Sequence, residues 1–488
     1  MKSLALVLIC CINSLYAQDM RDHWILGDSM HLKFTDSGLV YFETVPFWSS
    51  ESLSSISDSL GSLLFYGGDA KIMNRNNVTM DGCDSLFETG GYTGTVTQGA
   101  LILPLNYINN TYIYVFLSRA GLPATSLSTN IVDMNLQSSL GGAASEHRRV
   151  KSIEYLCGEQ LQAVKHGNGM DWWVITRKLI APSIGVSRDF VALLYKEGEL
   201  IDSVISSVGI QSGYVGEMSI SPSGSKMALA SYNTGVVQLF DFDRCSGLIS
   251  NPKTLINDST SYYGCAFSPD ESKLYVSKFA NEVLFQLDIS TEPVTTTEIF
   301  NGNYGVDNIA GQLELGPDGK IYWIQKVQGS GFDPLPAMYL GVIDNPDAPG
   351  LSCLYKPHGA WLGGRANRSL GLPNHPNYYL GPLVGSPCDT LSDPDTTSAI
   401  QPINVALAEP CFELRTTSGS GSLALNIEPS FLNSSIELYN SSGAQVYAGQ
   451  VNTTNSMLST TNWTPGVYVA RLRTPNRSCP AQKFLVAP

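Results

Sequence analysis

Short apolar runs with a two-residue period dominate this chain, and clusters of Gly, Asn, Asp, Ser and Pro separate them. Alternation of apolar and polar residues is the pattern of a β-strand, whereas a helix needs apolar residues three and four apart. Typical runs lie at 63–66, 112–116, 172–176 and 190–195. Only residues 50–60 have a spacing that suggests a short helical turn. The pattern therefore predicts an all-β protein.

A turn motif repeats three times at a fixed spacing. The copies are MSISPSGSK (218–226), CAFSPDESK (265–273) and LELGPDGK (313–320). The last residues of the copies, Lys226, Lys273 and Lys320, are each 47 residues apart, and Asp241 and Asp288 follow the first two copies with the same offset. A repeat of this length with several short strands is typical of one four-stranded blade of a β-propeller.

The repeated motif has the composition of a β-hairpin turn. Proline presets the first corner, Asp or Ser caps the neighbouring backbone, and glycine accepts a positive φ. Gly224 and Gly319 occupy the glycine position in the outer copies, whereas Glu271 replaces it in the middle copy. We therefore expect an adjusted turn at Glu271. A single blade cannot bury both faces, so its neighbours must cover it around a closed ring.

Changes in composition along the chain predict four segments. Residues 1–17 have one lysine, a short apolar run and a small final residue, which is the layout of a cleaved signal peptide. Residues 18–386 hold between seven and eight units of the repeat, and we predict a seven-bladed propeller because insertions consume chain. Residues 387–420, rich in Ser, Thr, Asp and Pro, are a predicted linker. Residues 421–488 contain short strands and turn dipeptides, which predict a small Ig-like β-sandwich.

Charge and hydropathy limit the partners of this chain. A net charge of −14 with only 15% charged residues describes an acidic, weakly charged surface. Such a surface repels phosphate backbones, so we expect no nucleic-acid partner. No apolar run approaches the roughly 20 residues of a membrane-spanning helix, so we also expect no membrane span.

Eight cysteines follow the predicted signal peptide, and an even number in an exported chain favours disulfides. We predict that Cys245 pairs with Cys265 and that Cys411 pairs with Cys479. No two cysteines have the C-x-x-C spacing of a zinc ribbon or a thioredoxin-like site. We therefore expect no metal and no cofactor.

Several segments, taken in order, resemble the WD40- and YVTN-like propellers of large secreted proteins of Bacteroidota. They span most of residues 20–376 and are GSLLFY (61–66), MNRN (73–76), TQGA (97–100), IVDM (131–134), HGNGMDWW (166–173), LFDFD (239–243), FSPD (267–270) and GLPN (371–374). The resemblance implies a propeller on an exported protein.

The C-terminal segments IELYNSSG (436–443), GVYV (466–469) and KFLV (483–486) resemble the sorting domain that the type IX secretion system recognises. This second resemblance implies export through both membranes, followed by release or surface attachment once the tag is removed. It names the type IX secretion machinery as a partner. The implied location is the extracellular space or the outer cell surface.

The densest polar and aromatic cluster of the chain is His166, Asn168, Asp171 and Trp172. A histidine beside a carboxylate can perform acid–base chemistry or hold a ligand. The alternative is structural, because Gly167-Asn168-Gly169 reads as a turn whose His and Asp bond to nearby backbone groups. We favour the structural interpretation and keep the four residues as candidate binding residues.

Other chemistry also has a structural alternative that we favour. Asp270 and Asp318 suggest a calcium ring, but they lie in separate repeats and match turn caps better. The basic cluster His147-Arg148-Arg149 with Lys151 is typical of a solvated loop. Adjacent aromatic residues, such as Tyr262 and Tyr263, can stack on sugars or grip a protein, although one of each pair should point into the core.

Three hypotheses about function follow. The leading one is a non-enzymatic, exported interaction module that binds a protein or a glycan. The second is a propeller-based glycan lyase or hydrolase, which requires two carboxylates, or a His and a carboxylate, to converge in the central channel. The third is a structural component of surface or gliding machinery. No G-x-S-x-G, H-E-x-x-H or phosphate-loop motif is present.

Overall fold

A computed structural model divides the chain into two compact units, Met1–Pro394 and Asp395–Pro488. It describes residues 19–486 except 69–70, 85–95, 107–109, 120–124, 154, 180–185, 233, 303–307, 328–334, 390–411, 418–421, 428, 430–431, 433, 441–444, 461–462, 464–465 and 474–481. The predicted signal peptide lies outside the described residues.

Unit 1 is a seven-bladed β-propeller. Six antiparallel sheets occupy its described residues, and the widest of them consists of two blades joined through a single residue pair, Cys157 with Thr125. From blade 1 to blade 7, the first strand of each blade contacts the first strand of the next blade along the chain.

The strands of the propeller, blade by blade, are β1 (His23–Leu26), β2 (Asp28–Thr35) and β3 (Gly38–Trp48); β4 (Leu53–Ser57), β5 (Leu63–Gly68) and β6 (Ile72–Asn74); β7 (Ala100–Asn106), β8 (Thr111–Arg119), β9 (Thr125–Asp133) and β10 (Val150–Lys151); β11 (Cys157–Lys165), β12 (Trp172–Lys178), β13 (Val186–Lys196) and β14 (Glu199–Gly213); β15 (Met218–Ile220), β16 (Lys226–Ser231), β17 (Val236–Phe242) and β18 (Ile249–Asn257); β19 (Tyr262–Phe267), β20 (Lys273–Lys278), β21 (Val283–Asp288) and β22 (Thr295–Asn301); β23 (Asn308–Leu315), β24 (Ile321–Val327), β25 (Tyr339–Ile343) and β26 (Tyr355–Trp361). Short 3-10 helices lie at Ser145–His147, Pro336–Met338 and Gly350–Cys353.

The three lysines of the repeat occupy matching places in blades 5, 6 and 7, as predicted. Lys226 and Lys273 each begin the second strand of a blade, and each stands opposite the aspartate of the third strand. Lys320 directly precedes β24, and its Nζ lies 2.9 Å from an Oδ atom of Asp344. The 47-residue spacing therefore reports one structural unit.

The turns of the repeat keep one backbone geometry despite the change in sequence. Gly224 and Gly319 have φ values of 75° and 76°, and Glu271 has a φ of 60° at the same position. The expected adjustment at Glu271 does not occur. Glu271 keeps the left-handed backbone of the glycines, and its side-chain contacts outside the turn offset the cost of that conformation. Its carboxylate accepts the backbone N–H of Ser223 and pairs with Lys226 on the preceding blade.

Residues 369–376 close the ring. They are buried and run between β4 of blade 2 and β23 of blade 7, in the place of an innermost strand for blade 1. The Leu370 N–H donates to the Ser50 carbonyl (3.1 Å), the Asn374 N–H to the Leu53 carbonyl (2.8 Å) and the Gln312 N–H to the Leu370 carbonyl (3.0 Å). We call residues 369–376 the closing segment. The N-terminal and C-terminal parts of unit 1 thus build one blade together.

Two local expectations are wrong. Residues 50–60 contain β4 and no helical turn, because Leu53–Ser57 pairs with β5 as an innermost strand whose five residues are all buried. Cys245 pairs with Cys388, at a Cα–Cα distance of 5.4 Å, and not with Cys265. Cys265 is a free thiol buried in blade 6. The predicted pair Cys411 and Cys479 lies outside the described residues.

Unit 2 is a small β domain of two sheets. One sheet has the order β27-β28-β31 and the other β30-β29-β32-β33, and apolar side chains such as Leu425 and Leu438 form a core. The first described strand of the unit starts at Phe412, inside the predicted linker 387–420. Cys388, at the start of that predicted linker, is bonded to Cys245 of the propeller. The strands are β27 (Phe412–Thr417), β28 (Ser422–Ile427), β29 (Ser434–Asn440), β30 (Gln445–Val451), β31 (Asn455–Ser459), β32 (Gly466–Arg473) and β33 (Gln482–Val486).

Candidate functional site

Buried polar side chains cross the centre of the propeller and link blades that are not neighbours in the ring. The Glu217 side chain, next to β15, accepts the backbone N–H groups of Cys265 (2.8 Å) and Leu313 (3.0 Å) with Oε2. One carboxylate therefore ties blade 5 to blades 6 and 7.

Further hydrogen bonds cross the channel at the end where the first strand of each blade begins. The Tyr263 hydroxyl donates to Oε2 of Glu51 at 2.6 Å and joins blade 6 to blade 2. Gln98 bonds both backbone groups of Met218, at 2.8 and 2.9 Å, and joins blade 3 to blade 5. Buried polar groups need such partners, because an unpaired one costs about 1–3 kcal/mol.

A cavity of about 260 Å³ opens at the other end of the channel, where the first strands end in the repeated turns. Its wall combines charged and polar groups with apolar ones. The polar wall includes Arg21, Ser219, Glu217, Glu314, His375 and Asn377, and Phe267 and Leu313 supply apolar surface. Enclosed apolar surface with a few convergent polar groups is the usual composition of a ligand site.

Arg21 and Glu314 meet at this cavity from opposite ends of unit 1. Arg21 immediately precedes blade 1, and Asp19 holds its guanidinium through two bonds of 3.0 Å. The Met20 N–H donates to the Tyr379 hydroxyl at 2.9 Å, which fixes this N-terminal stretch against the residues that follow the closing segment. Arg21 also interacts electrostatically with Glu314, which lies at the end of β23.

The pKa values of both glutamates of the cavity are raised. Burial raises the pKa of Glu217 to about 8, although its two backbone donors oppose the change. Burial, and after it the neighbouring Glu217, raise the pKa of Glu314 well above its ordinary value, while Arg21 lowers it. Burial also lowers the pKa of His375 to about 3, so its imidazole is neutral at pH 7. The two carboxyl groups of the cavity therefore keep their protons to a higher pH than ordinary glutamates do.

The four predicted binding residues form a turn between β11 and β12. Asn168 organises it: its Nδ2 donates to Asp171 Oδ2 (2.7 Å), and its Oδ1 accepts the N–H groups of Met170 (3.0 Å) and Asp171 (3.1 Å). His166 Nε2 lies 3.1 Å from the Cys245 carbonyl oxygen, and Trp172 is buried with Nε1 donating to Pro104. These bonds agree with the structural interpretation, and ligand binding by the cluster stays a prediction.

The other candidate residues from the sequence are the turn aspartates and the aromatic residues. Asp270 Oδ1 accepts the Ser272 N–H (2.9 Å) and Asp318 Oδ1 accepts the Lys320 N–H (3.3 Å), as turn caps do. Both members of the pair Tyr262 and Tyr263 are buried, because neighbouring blades cover both faces of an inner strand. Trp361 and Tyr379 remain about half exposed.

Sequence reasoning missed the cavity residues Arg21, Glu217 and Glu314. Glu217 directly precedes the first copy of the repeat, and Glu314 is the second residue of the third copy. Glu314 holds a place where the other copies have Ser219 and Ala266. A carboxylate at that place in only one copy was the available signal.

The fold and the site define an all-β protein with a seven-bladed propeller and a C-terminal β domain. Residues 420–487 match the family described as secretion system C-terminal sorting domain. The chain therefore ends in a type IX sorting domain, which indicates export to the cell surface or the extracellular space. Among the described residues, no helix has both the length and the apolar character needed to span a membrane.

Three solved structures of bacterial proteins are among those similar to this chain. A candidate 6-phosphogluconolactonase from Bacteroides uniformis has a TM-score of 0.41 and 12% identity, covering 66% of this chain and 92% of its own. The periplasmic gluconolactonase PpgL of Pseudomonas aeruginosa has a TM-score of 0.39 and 12% identity, covering 81% and 96%. A functionally unknown protein of Desulfotomaculum acetoxidans has a TM-score of 0.39 and 10% identity, covering 72% and 99%. No curated protein matches the sequence.

Proposed function

We propose that this chain is an exported binding module whose propeller holds a glycan at the cavity of the channel mouth. The observation that carries the proposal is the set of polar groups from separate blades, Arg21, Glu217 and Glu314, that line one partly enclosed cavity beside apolar surface. Sugars present hydroxyl groups and apolar C–H faces together, so a wall of this mixed kind suits them.

The charge of the cavity also favours a neutral, hydroxyl-rich ligand. Asp19 balances the charge of Arg21 through its paired bonds, and burial shifts the pKa values of the two glutamates upward, which favours their neutral forms. Neither a strong cation nor a strong anion finds an unbalanced charge there. Sugar hydroxyls can both accept from and donate to protonated carboxyl groups.

The sorting domain supplies delivery in this proposal. Type IX machinery recognises the tail, and the propeller then acts at the outer surface or in the medium after the tail has been removed. Whether the mature propeller is attached or released is answered by fractionating cells and medium with antibodies against the two units. Recovery of the propeller only inside the cells would contradict this part of the proposal.

A glycan array with the purified mature protein tests the ligand, followed by calorimetry on the sugars that bind. We expect Glu314→Leu to weaken binding at least tenfold, since an apolar side chain of similar size can neither donate to a sugar hydroxyl nor accept from one, whereas Glu314→Gln keeps a donor and an acceptor and should bind nearly as the wild type does. Glu199→Leu, on an exposed strand of blade 4, is the matched control. Binding of a protein and of no glycan, or equal affinity of the Glu314→Leu protein, would overturn the proposal.

The second candidate function is a glycan lyase or hydrolase that uses the same cavity. Its supporting observation is that two carboxyl groups, of Glu217 and Glu314, line one cavity and that Glu217 raises the pKa of Glu314. A carboxyl group that is protonated near neutral pH is suited to general acid catalysis. Release of new reducing ends or unsaturated products from a bound glycan, abolished by Glu314→Gln, would favour this candidate; a stable complex without turnover would favour binding.

A further inference from the structure

The chain that follows the closing segment leaves the channel and runs over the turns of blades 5 and 4. The Asn377 side chain donates from Nδ2 to the Pro222 carbonyl at 2.9 Å. Further on, the Leu383 N–H donates to the Gly167 carbonyl at 2.8 Å. We call residues 377–389 the strap. The strap also contributes Asn377 and Leu380 to the wall of the cavity.

Arg244 holds the middle of the strap. Its buried guanidinium donates to the Lys165 carbonyl (Nε, 2.7 Å) and to the Gly381 carbonyl (Nη2, 2.7 Å), and so joins blade 4 to the strap. The next residue, Cys245, is bonded to Cys388 near the end of the strap. Gly167 lies against both sulfur atoms, and a Cβ at that position would collide with Cys388 Sγ. Blades 4 and 5 are thus shaped to receive the strap and its disulfide.

We propose that the Cys245–Cys388 disulfide is a clamp that isolates the closing segment of the ring from the C-terminal unit. Cys388 stands six residues before Pro394 in the sequence, where unit 1 ends, and the sorting domain follows in the chain. Without the bond, no covalent link ties the strap to the blades, so the strap and then the closing segment can peel away from the C-terminal side. With the bond, it is a short loop fixed at both ends, and opening it requires strands of blade 5 to move as well.

The clamp protects the closing segment during secretion. Secretion machinery acts on the sorting domain, and any pull on that domain travels along the chain toward residues 369–376. The disulfide diverts this load at Cys388 into blade 5 through Cys245. The closing segment and the cavity wall formed by His375, Asn377 and Leu380 then keep their geometry while the tail is handled or removed.

Hydrogen exchange on the full chain, read by mass spectrometry, provides the first test. The double variant Cys245→Ser/Cys388→Ser is compared with the oxidised protein, and peptides that cover 369–376 report on the closing segment. We expect exchange of these amides to become at least tenfold faster in the double variant, while peptides of β19 in blade 6 change less than twofold. Equal protection of residues 369–376 in both proteins would overturn the proposal.

If the double variant does not fold, the folded wild-type protein is reduced with a phosphine and alkylated, and the same peptides are compared before and after. Pulling experiments then test the path of the load. Handles are attached to the C-terminus and to an alkyne amino acid placed at exposed position 203. In the reduced protein we expect an early extension of about 70 Å, because residues 369–388 are released at roughly 3.5 Å each. The same step in the oxidised protein would contradict the clamp.

Discussion

The carboxylate of Glu271 lies 3.3 Å from Nζ of Lys226 and joins the turn of blade 6 to the turn of blade 5. Glu271 holds a positive φ that L-residues other than glycine rarely adopt, and its side chain is largely buried. The contact between blades explains why a glutamate stands where the other repeats have glycine.

Replacing Glu271 separates the cost of its backbone from the gain of its side chain. We expect Glu271→Ala to lower the free energy of unfolding by about 1–2 kcal/mol, since it loses both contacts and keeps the unfavourable φ. Glu271→Gly should lose about 1 kcal/mol less than Glu271→Ala, because glycine accepts the φ. Urea denaturation measures both, and Lys253→Ala, which breaks a more exposed pair with Glu292, serves as the control with an expected change below about 1 kcal/mol. A glycine variant that is less stable than the alanine variant would refute this account.

Glu282 makes the stability of the propeller depend on pH. Burial raises the pKa of its carboxyl to about 7, and Oε2 has no hydrogen-bond partner among the described residues. The unfolded chain releases this proton near pH 4.5 and the folded chain only near pH 7, so stability is lost as the pH rises between these values. We expect Glu282→Gln to be more stable than the wild type by about 2–3 kcal/mol at pH 8 and by much less at pH 5.

Thermal unfolding at pH 5 and pH 8 checks this prediction. Glu298→Gln, on the exposed outer strand of blade 6, is the control and should follow the wild type at both values. A constant difference between Glu282→Gln and the wild type at the two pH values would show that the carboxyl does not titrate in this range.

His375 in the closing segment has the opposite pH dependence. Burial lowers its pKa to about 3, and its Nε2 lies 2.9 Å from the Ser55 carbonyl oxygen. The unfolded chain takes up a proton as the pH falls below about 6.5, whereas the folded chain does not, so stability is lost toward acid pH. We expect His375→Gln to be less stable at pH 7 but to lose stability more slowly toward pH 4, by a slope equivalent to about one proton. Exposed His358→Gln should retain the wild-type slope.

Tyr263 and Glu51 test the polar links across the channel. Tyr263→Phe removes the hydroxyl that donates to the buried Glu51 carboxylate at 2.6 Å. We expect the free energy of unfolding to fall by about 1–3 kcal/mol, since a hydrogen bond inside the protein is lost and the buried Glu51 carboxyl loses a donor. Tyr339→Phe, at a partly exposed tyrosine of blade 7, should change it by less than about 0.5 kcal/mol. Chemical denaturation of the three proteins decides between a structural and a negligible role for this link.

The sequence by itself determined the features that depend on neighbours along the chain. The alternation of apolar residues predicted the strands, and the spacing of Lys226, Lys273 and Lys320 predicted equivalent blades. Both depend on hydrogen bonds and turns within about 50 residues, which a local pattern can encode. The turn interpretation of Asn168 has the same origin, because all of its bonded partners lie within three residues.

Only the tertiary structure decided which distant residues meet. Arg21 and Glu314 come together because closure of the ring places blade 1 beside blade 7, and Cys245 meets Cys388 because the strap continues across blade 5. The alternation of residues along a strand predicted only one of Tyr262 and Tyr263 in the core, because it does not reveal that neighbouring blades cover both faces of an inner strand. Convergence at the axis of a propeller depends on closure of the whole ring, and no local pattern of residues contains that information.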